Sequence, residues 1–179
     1  WKRDTDIGTA VHKMIEQQVA GKIIIPETEE GPLTEESMLR TCWLCYRGWE
    51  SWYASSGFKI LHTEMSLVSE VERFGGTFDA ILEKDDYRYV ADWKTSKQVN
   101  HAMMIQVAGY RGIINEVMPD YAIQRGLIVR LSKQTGRAIP RPFRSSQLDV
   151  GWKQILRQLA VHEGRKKVAK AFKEYEDAT

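Results

Sequence analysis

The sequence has little cysteine, no long apolar run and almost no net charge. Its two cysteines, Cys42 and Cys45, are too few for a disulfide framework, which favours a reducing intracellular setting: cytoplasmic, organellar, or that of a phage- or virus-encoded protein. No apolar run approaches the roughly 18 residues needed to span a bilayer, so no membrane partner is expected. The chain begins at Trp1 and not at Met, so we expect a segment upstream of it.

The net charge of +2 conceals a strong segregation of charge. Between residues 125 and 173 there are 13 basic and 2 acidic residues, and the rest of the chain has 13 basic and 22 acidic ones. With 42% apolar residues, a chain of 179 residues can bury a core of its own, which excludes disorder as its main state. We therefore predict one domain over 1–179: a helical N-terminal part at 1–57, a sheet core at 58–143 and a basic C-terminal helix at 150–175.

Hydrophobic periodicity gives the order of elements. Helices are predicted at 6–20, ending at Gly21, and from an N-cap at Thr34 to Ser55, with Gly57 beyond it. Alternating patterns predict strands at 63–68, 77–83 and 87–94, with a turn at 84–86. A helix at 102–117, a strand at 126–131, a turn, a strand through Ile139 and the last helix follow. This order is typical of a layered α/β or α+β fold.

Acidic residues lie on three of the predicted strands. Asp92 and Lys94 are two apart on one strand, so they share a face while Trp93 points the other way. Asp79 follows Gly75-Gly76 on the preceding strand, and Glu64 lies on the first. If the three strands are neighbours, the carboxylates converge and need cations to neutralise them; hard oxygen ligands suit Mg²⁺ or Mn²⁺.

Five motifs in this order resemble the PD-(D/E)xK nuclease superfamily, in particular its RecB-type exonuclease branch, which includes CRISPR-associated and mitochondrial genome maintenance exonucleases. They span roughly 100 residues, on the secondary structures that the branch requires. They are the Gly-x-x-x-His of Gly8 to His12, the strand glutamate Glu64, the Gly-x-x-Asp of Gly76 to Asp79, Asp92-Trp93-Lys94, and the Gln-x-x-x-Tyr of Gln106 to Tyr110.

The resemblance implies a fold and a role for each residue. The fold is a restriction-endonuclease-like core, with a central mixed five-stranded sheet flanked by helices. The metal ligands for one or two Mg²⁺ or Mn²⁺ ions are His12, Asp79, Asp92, Glu64 and the carbonyl of Trp93. Lys94 is the catalytic lysine, which positions or activates the attacking water. Gln106 and Tyr110, four apart on one helical face, support the site.

Several residues keep a structural interpretation beside the functional one. His12 could be packed beside the apolar stripe of its helix, Glu64 could be an exposed strand residue, and Tyr110 could belong to the core. Some members of the branch hold an iron–sulfur cluster on four cysteines; with only two, no cluster is expected, and burial on the helix is favoured. Stacking on unpaired bases is open for Trp43, Trp49 and Trp52, with packing favoured for the last two.

The basic C-terminal third predicts contacts with a polyanion. Phosphate contacts release counterions, and no base-reading motif accompanies these residues, so sequence-independent DNA binding is expected. The predicted DNA-binding residues are Arg125, Arg130, Lys133, Arg137, Arg141 and Arg144.

The function predicted from the sequence is phosphodiester hydrolysis by a metal-dependent DNA exonuclease, acting at a free end in DNA recombination, repair or replication. A structure-specific endonuclease is the alternative within enzymes. A catalytically silent DNA-binding or scaffold module, assembled with a helicase or recombinase, is the alternative from another class.

Overall fold

Two long helices and a small β-ribbon form the N-terminal part. The computed structural model describes residues 2–178, with side chains for 2–175, so Trp1 and Thr179 of the predicted domain lie outside the described residues. Helix α1 covers Lys2–Val19 and helix α2 covers Glu36–Ser56. Strands β1 (Glu27–Thr28) and β2 (Gly31–Pro32) pair antiparallel between them. The sequence did not predict this ribbon, because two-residue strands show no alternation.

The ends of these helices differ partly from the prediction. Helix α1 begins four residues before the predicted start, where polar residues gave no apolar signal. In this first turn, Lys2 and Arg3 make exposed ion pairs with Glu30 and Glu35. The N-cap of α2 is Glu35 and not Thr34, since the Glu35 carbonyl accepts the first hydrogen bonds of the helix, from the N–H groups of Met38 and Leu39. Gly57, with φ of 72°, ends α2 as predicted, in a conformation that glycine adopts without strain.

A five-stranded mixed sheet forms the centre of the fold, in the strand order β3-β4-β5-β6-β7. Its strands are Lys59–Ser69, Phe74–Lys84, Tyr87–Lys94, Arg125–Leu131 and Ala138–Phe143. Only β5 and β6 pair in parallel, and helix α3 (His101–Val117) makes the crossover that a parallel pair requires. The predicted mixed five-stranded sheet flanked by helices is confirmed, and it is consistent with a restriction-endonuclease-like core.

The two faces of the sheet bury separate cores. Helices α1 and α2 cover one face, where Trp49 packs edge-on against Trp93. Trp52 is partly buried against the same cluster, so the packing interpretation of both tryptophans is confirmed. Cys42 and Cys45 are buried free thiols, and burial raises their pKa values to about 12 and about 11. Trp43 packs at the edge of this core, with its ring against Tyr46.

Helices α3 and α4 cover the other face. Helix α4 spans Ser145–Ala178 and begins five residues before the predicted start. It lies so close to α3 that a Cβ on Gly151 would come within 2.7 Å of the Ala108 methyl group, and one on Gly112 within 2.6 Å of the Trp152 ring. Among the described residues, no helix is long and apolar enough to cross a membrane.

Candidate active site

The sheet forks at the end where the predicted site residues lie. Strand β4 pairs with β5 only as far as Ala80, opposite Ala91, and its earlier residues pair with β3 alone. The Trp93 N–H, which has lost its ladder partner, donates instead to Oδ2 of Asp79 over 2.5 Å. This bond holds the Asp79 carboxylate inside the fork.

Glu64 and His12 approach Asp79 from two other elements. Glu64 lies opposite Asp79 in the β3–β4 register, and its φ of 43° interrupts the regular strand. Positive φ is uncommon for a residue other than glycine and is often found at functional sites. His12, on α1, places Nδ1 3.1 Å from Oδ1 of Asp79. One ligand atom from each of the three side chains lies within 4.8 Å of the other two, so His12, Glu64 and Asp79 could hold one metal ion.

Asp92 and Lys94 form a second group beside this cluster. They project from the same face of β5, and the Nζ of Lys94 lies 2.9 Å from Oδ1 and 2.7 Å from Oδ2 of Asp92. Asp92 is buried, whereas about a fifth of the Lys94 side chain is exposed. The alternation predicted for this strand is confirmed, because the Trp93 ring enters the opposite core. The role of the Trp93 carbonyl as a ligand stays a prediction.

The site carries more negative charge than its own cations balance. Burial, followed by repulsion from Asp79, raises the pKa of Asp92 to about 6, although Lys94 acts in the other direction. Glu64 as a whole is exposed, but the partial burial of its carboxyl group, followed by repulsion from Asp79, also raises its pKa. Burial lowers the pKa of His12, but the charge of Asp79 and its hydrogen bond outweigh this effect, so the His12 pKa is raised. A divalent cation among these ligands would relieve the repulsion, so the donor set fits such an ion.

Gln106 and Tyr110 occupy the wall of the site on α3. The Gln106 Nε2 donates to the Tyr110 hydroxyl oxygen over 2.6 Å. Burial and the nearby charge of Asp92 raise the pKa of Tyr110 to about 12, so its hydroxyl stays protonated. Tyr110 is buried in the core cluster on this face, which confirms its structural interpretation and also leaves it beside the carboxylates.

Two glycines of the motifs are explained by close contacts at the site. A Cβ on Gly76 would lie 2.7 Å from the Tyr110 ring, so only glycine lets this ring approach β4. A Cβ on Gly8 would lie 3.3 Å from the Thr95 hydroxyl, which is tight for the approach of α1 to the end of β5. Both glycines therefore help to bring their elements together around the carboxylates.

Three of the six predicted DNA-binding residues lie near the site. A cleft of about 500 Å³ is lined by His12, Lys94 and Lys133. A neighbouring pocket of about 670 Å³ is lined by Arg130, which faces Lys94 in the β5–β6 register, and by Arg141. Other residues of this basic pocket are Lys97 and His101, and Lys97 also lines the cleft.

The other three predicted DNA-binding residues lie elsewhere. Arg125 faces Tyr89 at the opposite end of β6, where its guanidinium stacks on the Tyr87 ring at 3.4 Å. Arg144 follows β7 at that same end. Arg137 lines a groove against α2. The six residues therefore do not form a single surface, because the strands carry them to both ends of the sheet.

Lys97 and His101, which line the basic pocket, are not among the residues predicted from the sequence. Both follow the Asp-x-Lys motif, in the loop after β5 and at the first residue of α3. Their signal was their position: residues that follow a site-bearing strand and open the next helix return to the same end of the sheet.

No protein-family model matches the chain, and no curated protein matches it. Among solved structures, one similar to it is a candidate exonuclease from Eubacterium rectale, with a TM-score of 0.57 and 13% identity. The match covers 89% of this chain and 65% of that one, so this chain spans just under two-thirds of the other protein's length. At this identity the likeness shows a shared fold.

Two structures of an alkaline exonuclease from Laribacter hongkongensis are also similar, with TM-scores of 0.38 and 0.39 and identities of 15% and 13%, the second being a complex with dAMP. Both matches cover 94% of this chain and 92% of the other.

The fold and the site together define the class: a mixed α/β core of restriction-endonuclease type that presents carboxylates, a histidine and a lysine at a fork in its sheet.

Proposed function

We propose that the chain is a metal-dependent DNA exonuclease of the PD-(D/E)xK superfamily that hydrolyses phosphodiester bonds without sequence preference. One observation carries the proposal: the His12, Glu64 and Asp79 cluster lies beside the Asp92–Lys94 pair at the fork of the sheet. A structural ion network would not require a histidine, three carboxylates and a partly exposed lysine at one forked edge.

The metal ligands would be His12, Glu64, Asp79 and Asp92. Carboxylate oxygens with one imidazole nitrogen suit Mg²⁺ or Mn²⁺, and the uncompensated negative charge favours a divalent ion. When bound, one or two such ions supply Lewis-acid polarisation of the phosphate and stabilise the leaving oxygen.

The chain's own residues would position the reactants. Lys94 presents its ammonium to the cleft, where it can orient the attacking water and offset the negative charge that develops on the phosphate. Asp92 fixes this ammonium through two short contacts. Tyr110, protonated and held by Gln106, can donate a hydrogen bond to the phosphate or to a water.

The basic pocket would hold the DNA backbone next to the cleavage point. The cations Arg130, Arg141 and Lys97 make no ion pair within residues 2–175, so an external anion is left to neutralise them, and His101 lies beside them in the pocket. Phosphates meet this requirement without any reading of bases, which supports sequence-independent binding. The five ordered motifs favour a free DNA end as substrate, in recombination, repair or replication; a helicase or recombinase partner stays open.

The proposal is tested by incubating the protein with end-labelled linear DNA and covalently closed circular DNA, single- and double-stranded, in Mg²⁺, Mn²⁺ or EDTA. Degradation of linear DNA alone, and only with a metal, is the expected result. Cutting of closed circular DNA would contradict the exonuclease proposal and favour a structure-specific endonuclease. Retention of DNA in a gel shift without cleavage in any metal would favour a silent DNA-binding module.

A further inference from the structure

Helix α4 changes the face on which it carries apolar residues. In its first half, Leu148 and Ile155 are buried, on the side that packs against α3. In its second half, the exposed apolar residues lie on a different side of the helix, because residues 155 and 161 are separated by about one and two-thirds turns at 3.6 residues per turn, which places them about 120° apart around the helix axis. The first face is buried within the fold of this chain, and the second is not.

The second apolar stripe is exposed to solvent. Val161 is 55% exposed, Val168 71% and Phe172 62%, and Tyr175 on the same stripe is 68% exposed. Val161, Val168 and Tyr175 are spaced seven residues apart, and the small residues Gly164 and Ala171 lie between them. A seven-residue repeat of this kind is typical of a helix that packs lengthwise against another helix.

The width of the stripe argues for a helical partner over a lipid surface. Helices that lie in a membrane interface carry a broad apolar face rich in large side chains. Here the stripe is one or two residues wide, and two of its positions are Gly164 and Ala171, which allow another backbone to come close. Isolated exposed apolar residues are ordinary, but an aligned row along a helix marks an interaction surface.

The charges around the stripe indicate the chemistry of the partner. Residues 161–175 include five lysines and arginines and two glutamates. The glutamates are engaged by Lys166 and Lys170 on the same helix. Arg165 and Lys167, one at each edge of the stripe, make no ion pair within residues 2–175. A second copy of this helix would bring the same net positive charge, whereas acidic residues on a partner would be attracted.

We propose that residues 161–175 of α4 form a docking surface for an acidic amphipathic helix of another protein. The partner's apolar residues pack between Val161, Val168 and Phe172, and its carboxylates meet Arg165 and Lys167. This surface is separate from the cleft of His12 and Lys94, so the inference does not depend on the proposed nuclease activity.

The test measures binding of the full chain to two labelled helical peptides by fluorescence anisotropy. Both peptides carry leucine at the core heptad positions; one has glutamate and the other lysine at the flanking positions. We expect the glutamate peptide to bind at least about tenfold more tightly than the lysine peptide. The double variant Val168→Asn/Phe172→Asn, which keeps the charge, should lose at least about tenfold in affinity. The matched control Ala169→Asn, off the stripe, should bind as the wild type does.

Circular dichroism of each variant checks that the helix content is unchanged. We expect it to be unchanged because both variants alter exposed positions only. Equal binding of the two peptides, or binding that survives the double variant, would overturn the proposal. Light scattering that shows a dimer which the double variant dissolves would assign the surface to a second copy instead. An affinity for vesicles containing anionic lipid that equals the affinity for the glutamate peptide, and that is lost in the double variant, would assign the surface to a membrane.

Discussion

Replacing Asp92 with Asn should stabilise the metal-free protein while abolishing cleavage. Asp92 is buried with a pKa of about 6, against about 3.8 for an ordinary aspartate, so ionising it in the folded state costs free energy. Because one pKa unit corresponds to about 1.4 kcal/mol, the shift corresponds to up to about 3 kcal/mol at neutral pH. Asn has nearly the same shape and no charge, so the variant should recover much of this free energy of unfolding.

The pH dependence of the difference follows from the sign of the shift. Below about pH 4, Asp92 is protonated in both folded and unfolded protein, so the variant and the wild type should be equally stable. Between about pH 4 and 6, the unfolded chain releases a proton that the folded chain retains, so the wild type loses stability relative to the variant as pH rises. Above about pH 6 the full difference should be present and constant.

The assay is urea unfolding in EDTA at several pH values, followed by tryptophan fluorescence, with the same series in Mn²⁺. Added Mn²⁺ should raise the unfolding midpoint of the wild type and raise that of Asp92→Asn much less, because a charged ligand is missing. A variant that is no more stable than the wild type in EDTA at pH 7, or equal stabilisation of both proteins by Mn²⁺, would contradict this prediction.

Three further predictions concern the lysine, the basic pocket and the packing of α2. Lys94→Gln should reduce cleavage about a hundredfold or more in a single-turnover assay and leave DNA retention in a gel shift nearly unchanged; wild-type rates would contradict its role. Arg130→Ala should weaken DNA binding and lower the slope of log affinity against log salt by about one, whereas Arg125→Ala, at the far end of the sheet, should leave the slope unchanged. An equal change of the slope in both variants would contradict the proposal that the basic pocket holds the DNA backbone. Gly48→Ala should lower the free energy of unfolding by about 3 kcal/mol or more, because its Cβ would lie 1.5 Å from the Gly136 carbonyl oxygen; an unchanged urea midpoint would contradict this contact.

The strands and most helices could be predicted because their apolar periods are long and uninterrupted. The prediction that Asp92 and Lys94 share a face followed from alternation alone, and the structure confirms it. The fork of the sheet could not be predicted, because it depends on where the β4–β5 ladder stops and on the hydrogen bond that the Trp93 N–H donates to the Asp79 carboxylate. The positive φ of Glu64 likewise has no signal in residue type.

The sequence did not show which of the basic residues lie together in space. Counting charges along the sequence grouped Arg125 with Arg130, but five residues of extended strand separate them by roughly 16 Å, and the two lie toward opposite ends of β6. Conversely, Lys97 and His101 were overlooked because they precede the basic segment, although the crossover brings them to the same pocket as Arg130. Clustering of charge in space depends on strand register and crossover geometry, which composition does not contain.

Whether the carboxylate cluster is a nuclease site can be measured as release of label from end-labelled linear DNA by the wild type and by Asp79→Asn, with Mg²⁺, with Mn²⁺ and with EDTA. Asp79 joins the His12 and Glu64 cluster to the end of β5, so its loss should disable the site. The wild type should release label only when a metal is present, and the variant should release none, while both retain DNA. Intact DNA after incubation of the wild type with either metal, or equal release by the variant, would contradict it.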